Sequence, residues 1–249
     1  MALIKTSNPA LNGKIFQGQS VAFEDAMTLD GTVNKTGILL LCAIATAAYT
    51  WHAFMQSHSV ATVLPLFWIG MIGGLIFAMV TIFKKEWAPV TAPIYALLEG
   101  LVLGGISAIF ELRYPGIAMQ AVGMTFGVLF VMLLAYRSHL IPVTQKLRLG
   151  IVAATGAIAL FYIVEIVLGF FGFHFGMING ATPLGIGFSV VVVIVASLNL
   201  VLDFDFIEQG VRARAPKYME WYGAFGLIVT LVWLYLEILN LLGKLRGRD

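Results

Sequence analysis

Charge is scarce in this chain. Of its 249 residues, 11% are Asp, Glu, Lys or Arg and 60% are apolar, whereas a soluble domain carries about 25% charged residues. That deficit excludes a water-covered globular domain, because too few charged side chains exist to clothe its surface. The formal net charge is +2, with no basic tail, which argues against nucleic acid as a partner. Cysteine occurs once, at Cys42. An intramolecular disulfide is therefore ruled out, and the thiol, set in an apolar run, is expected to pack as a small apolar side chain. The first 30 residues contain no apolar core of the signal-peptide type, so the first hydrophobic stretch is expected to remain in the mature protein.

Catalytic constellations are missing as well. Gly31-Thr-Val-Asn-Lys35-Thr36 lacks the spacing and second glycine of a phosphate loop. Gly187-Phe-Ser189 resembles the serine turn of an intramembrane protease, but that chemistry needs a histidine base at similar depth. His52, His58, His139 and His174 lie near the ends of apolar stretches or between them. A Gly-x-Gly-Asp signature of aspartyl intramembrane proteases is absent. With four scattered histidines and one cysteine, no fixed metal site and no cofactor are expected. The chain reads as a non-enzyme.

What fills the sequence is apolar runs. Seven are long enough to cross a hydrocarbon core of about 30 Å, which needs about 20 residues of helix. They run approximately over Gly37–Met55, Thr62–Phe83, Ala92–Phe110, Pro115–Tyr136, Leu149–Phe171, Pro183–Phe206 and Tyr222–Gly243. Unbroken stretches such as Ser189-Val-Val-Val-Val-Ile-Val-Ala do not alternate as barrel strands would, so helices are predicted. The expected fold is an all-α membrane bundle. Residues 1–34 form a polar N-terminal arm and residues 35–249 the seven-helix domain.

Lys and Arg divide unevenly between the two ends of these spans. Lys5, Lys14, Lys35, Lys84, Lys85, Arg137, Lys146, Arg148, Arg212, Arg214 and Lys217 fall on one side. Arg113, Lys244, Arg246 and Arg248 fall on the other. Basic residues accumulate on the cytoplasmic side, which predicts a cytoplasmic N-terminus and, with seven full spans, an external C-terminus. A re-entrant last segment is the alternative. Gly70-xxx-Gly74, Gly100-xxx-Gly104 and Gly123-xxx-Gly127 predict close helix contacts.

Ionisable groups inside spans are costly and mark functional paths by default. Glu99, Glu165, Asp203, Asp205 and Glu237 are the candidates, with no Lys or Arg at comparable depth. Asp205 and Glu208 read as residues of the aqueous boundary. Glu165 reads equally as a solvated residue near the outer surface. Asn240 follows Glu237 by three residues and Asn199 precedes Asp203 by four, so each shares a helix face with its acid. Carboxylates without bases must be protonated, hydrated, mutually hydrogen-bonded or bound to a cation. Burial and a nearby like charge both favour the neutral form, and a close pair can share one proton.

Three stretches carry a family resemblance. Met27-Thr-Leu-Asp-Gly-Thr-Val-Asn-Lys-Thr-Gly-Ile-Leu39 leads into the first span. Ala92-Pro-Ile-Tyr-Ala-Leu-Leu-Glu-Gly-Leu-Val-Leu-Gly-Gly-Ile-Ser107 forms the third. Leu202-Asp-Phe-Asp-Phe-Ile207 and Leu234-Tyr-Leu-Glu-Ile-Leu-Asn-Leu-Leu242 belong to the last two. Together they resemble the Bax-inhibitor-motif membrane proteins of the bacterial branch. The resemblance implies a seven-helix fold with the last helix packed centrally, in the bacterial inner membrane. It implies a pH-sensitive calcium leak, gated by a proton-sharing carboxylate pair, to which Asp203 and Glu237 correspond, Glu237 standing where the family typically has Asp. Glu99, Glu165, Asp205, Asn199 and Asn240 become candidates for the path of calcium or protons. The alternative is a non-conducting regulator of a membrane-bound quality-control protease, acting through the N-terminal arm. The pair can meet only if the last helix enters late, near Gly226, or if the sixth span runs deep and tilted.

Overall fold

The structure, a computed structural model, describes residues 25–172, 178 and 180–247. Most of the polar arm at 1–34 therefore lies outside the described residues. The helices are α1 (Leu29–Ser57), α2 (Val60–Phe83), α3 (Ala88–Arg113), α4 (Ile117–Arg137), α5 (Gln145–Phe170), α6 (Pro183–Arg212) and α7 (Met219–Arg246). Seven of them are long and apolar enough to cross a membrane, and no strand forms among the described residues. The protein is a multi-pass integral membrane protein whose surroundings are a lipid bilayer.

Side-chain capping sets several of the helix starts. Thr28, Thr144 and Thr182 each accept a hydrogen bond from the backbone N–H three residues on, satisfying a donor the helix itself leaves open. Pro183 then occupies the first turn of α6, where its missing N–H costs nothing. The cap at Thr28 starts α1 eight residues ahead of the apolar run, so Asp30 and Lys35 belong to helix. At the other end of α1, His58 takes a left-handed conformation (φ 47°) and closes the helix.

Helix α7 is the axis of the bundle. It packs against α1, α3, α4 and α6, and 61% of its most apolar window is buried, against 11% for α5. Tyr95 of α3 meets Phe225 edge-on at 5.0 Å between ring centroids, and Phe206 of α6 lies beside Tyr222. The last helix is thus central, and it is continuous over 28 residues, about 42 Å at 1.5 Å per residue. A re-entrant hairpin does not describe it. Before α1, Met27 N–H donates to Ala215 O at 2.7 Å, and Ala26 pairs with Pro216 in an isolated bridge. This strap fastens the entry to α1 onto the α6–α7 loop.

Two of the three glycine pairs make the contacts expected of them. A Cβ at Gly100 would overlap the Ala43 carbonyl of α1, and one at Gly104 would overlap Ala47. Gly70 lies as tightly against Leu98 O of α3. Gly123 and Gly127 depart from the expectation: nothing lies within 4 Å of a Cβ at either position, because that face of α4 is exposed. Gly100→Ala is accordingly expected to lower stability by about 1–3 kcal/mol, the usual cost of overpacking. Gly127→Ala should change it by less than about 0.5 kcal/mol. Thermal unfolding of the two variants in detergent separates them.

Candidate functional site

Charged residues gather around α7 at two depths. Deep in the bundle, Glu237 is 6% exposed. Its Oε1 accepts from Tyr162 Oη of α5 at 2.7 Å and from Trp233 Nε1 one turn earlier at 3.2 Å. Its Oε2 is buried without a hydrogen-bond partner among the described residues. Asp203 of α6 is 1% exposed.

Cross-bundle contacts fix the relative heights of these two acids. Ile207 covers Gly223, Phe206 lies beside Tyr222, and at the other end Lys244 reaches Ser189. Between these anchors Trp233 packs on the cluster containing Val192 and Val195. Asp203 is therefore level with the turn around Phe225, and Glu237 with the turn around Val191. At 1.5 Å per residue this offset of about twelve residues separates the two positions by about 18 Å along the bundle axis. The expected meeting of the pair required a late entry of the last helix, near Gly226, or a deep and tilted sixth span. Instead α7 enters early, at Met219, and α6 continues to Arg212. The two acids occupy separate heights.

The other sequence candidates are placed as follows. Glu99 is half-buried between α2 and α3, with Oε2 3.2 Å from where a Cβ on Gly74 would lie. Glu165 is half-buried on α5, one turn beyond Tyr162 and within electrostatic range of Lys244. Asp205 forms an ion pair with Arg148 of α5 and accepts from Gln209 Nε2 at 2.6 Å. Asn199 is buried and donates to Thr155 Oγ1 and Val195 O, both at 2.8 Å. Asn240 lines a cavity at the end of the bundle and makes no hydrogen bond to the Glu237 side chain.

Two buried charges had no sequence signal of this kind. Lys244, counted in the sequence among the basic residues at the ends of the spans, folds back into the bundle and is 7% exposed. Its ammonium donates to Ile178 O (2.9 Å), Gly185 O (3.3 Å) and Ser189 Oγ (2.9 Å). It lies within electrostatic range of both Glu237 and Glu165. The acids nearest the C-terminal end of α7 therefore have a cation at comparable depth, contrary to the expectation. Lysine can do this because four methylenes carry the charge about one turn from its Cα. At the opposite end Glu220 is fully buried. It binds Lys35 and Lys217 and accepts from both the N–H and the hydroxyl of Thr28 at 2.9 Å. The one hint was its position beside the first apolar residues of the last span, three residues after Lys217.

The family model described as Bax inhibitor 1 like matches residues 8–247. No curated protein matches the chain.

Proposed function

Because the chain belongs to the Bax inhibitor 1 like family, we propose that it is a cation leak channel, with calcium as the permeant ion and protonation of buried carboxylates as the gate. The observation that carries this reading is Glu237. A carboxylate with one oxygen buried and unpartnered inside a membrane bundle is costly, and a passing cation or a proton would relieve that cost. Asp203 supplies a second acid at another height along the same central helix pair. The two act in this reading as successive sites, each changing the local charge by one unit on protonation, instead of as one pair sharing a proton. Glu165 and Lys244 stand beside the Glu237 level, and Glu99 offers a carboxylate on the α2–α3 side. The distribution of Lys and Arg supports a cytoplasmic N-terminus, and the resemblance to the bacterial branch favours the bacterial cell membrane. The protein in this reading conducts and does not catalyse.

Liposomes holding a calcium dye test it. Asp203→Asn and Glu237→Gln should each lower calcium flux roughly tenfold, equivalent to about 1.4 kcal/mol in a barrier, and flatten its dependence on pH. Unchanged flux and unchanged pH response in both variants reject the mechanism. Removing residues 1–24, ahead of the Thr28 cap, should leave flux intact. A loss of effects on a membrane protease with flux absent throughout would favour the regulator reading.

A further inference from the structure

Where α3 and α7 end together, the bundle contains a cavity of about 360 Å³. Phe110, Arg113 and Tyr114 border it from α3 and its end, Asn240 and Lys244 from α7, and Gly180 from the segment before α6. Three polar groups in this lining are without hydrogen bonds to the described residues: the Arg113 guanidinium, the Tyr114 hydroxyl and the Asn240 amide. Arg113 instead lies over the Tyr114 ring, 5.5 Å from its centroid. Among the described lining residues two carry positive charge and none carries negative charge.

We propose that this cavity binds a phosphate group, carried on a phospholipid headgroup or free in solution. The guanidinium offers a planar fork of N–H donors that matches phosphate oxygens, and such charge-assisted bonds are the strong ones. The phenol and the amide add neutral donors from two further directions. Lys244 contributes charge from behind while its ammonium keeps donating to Ile178 O, Gly185 O and Ser189 Oγ. The height is that of headgroups, because α3 and α7 both end here. Ile109 belongs to the lining and is also 44% exposed on the outer face of α3, so the cavity borders the lipid-facing surface. The site is independent of the cation reading, and its test measures binding and not flux.

Purified full-length protein in detergent is titrated with short-chain phosphatidylglycerol and, separately, with inorganic phosphate, and followed by thermal unfolding and native mass spectrometry. Either probe should raise the melting temperature of the wild type. Saturation by phosphatidylglycerol alone identifies a headgroup; saturation by phosphate alone identifies the free ion. Arg113→Gln and Asn240→Ala should each weaken binding roughly tenfold, the loss of one hydrogen bond to a charged group. Arg137→Gln, at the other end of the bundle, should leave it unchanged. Arg113 is exposed, so its variant is expected to melt with the wild type in the absence of ligand. The proposal is overturned if neither probe binds, or if the Arg113 and Asn240 variants bind as tightly as the wild type or no more weakly than Arg137→Gln.

Discussion

Glu220→Ala should destabilise the bundle by about 3–5 kcal/mol, the usual result of removing one partner from a buried ion pair. The carboxylate has no exposure to solvent and joins the start of α7 to the start of α1. Without it, the Lys35 ammonium, whose side chain is 19% exposed, stays in the same crowded place with no counter-charge. The Thr28 N–H loses its acceptor as well, and the Thr28 hydroxyl, which caps α1 through the Gly31 N–H at 3.0 Å, loses the group that orients it. The Lys217 contact matters far less, because that side chain is half exposed and only three residues away. Lys217→Ala should therefore cost no more than about 1 kcal/mol. Glu220→Gln should fall between the two, since an amide still accepts from Thr28 but carries no charge. Thermal unfolding of the three variants in one detergent gives the ranking. Equal melting temperatures for Glu220→Ala and Lys217→Ala would contradict it.

Lys244→Met is the second large effect, again about 3–5 kcal/mol. Methionine fills nearly the same space, so the loss is electrostatic. Ile178 O, Gly185 O and Ser189 Oγ lose their donor, and Glu237 and Glu165 lose a nearby cation. A double-mutant cycle isolates that last part. If the ammonium offsets the buried acid, Glu237→Gln should cost less in the Lys244→Met background than in the wild type, with a coupling of about 0.5–3 kcal/mol. Additive losses would show that Lys244 serves only the two carbonyls and the Ser189 hydroxyl.

Helices were legible because continuous apolar runs in a charge-poor chain leave the backbone no other way to satisfy itself. Their ends were not. Helix α6 continues six residues past Phe206 to Arg212, because each acid there has a partner: Asp205 pairs with Arg148, and Glu208 with Arg212 and Tyr136. Helix α1 begins in polar sequence because Thr28 and Glu220 secure its first turn. Neither extension leaves a trace in hydropathy, since both rest on polar side-chain contacts, several of them with residues distant in the chain. Glu237 and Asp203 were legible as buried acids, from their apolar flanks alone. Their difference in height was not, since it follows from how far two helices overlap. The inward turn of Lys244 escaped for a related reason: hydropathy places its Cα at a boundary, and only packing decides which way a long side chain runs. Glycine spacing was informative on α2 and α3, where a neighbour lies close. On α4 the same spacing faces outward, and the pattern itself does not say which side of a helix has company.

The strap between Ala26–Met27 and Ala215–Pro216 makes force on the N-terminal arm a force on the hinge of the last helix pair. Anything gripping that arm, whether a fusion tag, an affinity resin or a neighbouring protein, pulls through the strap before it reaches α1. An N-terminal handle would therefore report on, and disturb, the far end of the polypeptide, so labels meant to be silent belong elsewhere, for example on the loop between α4 and α5.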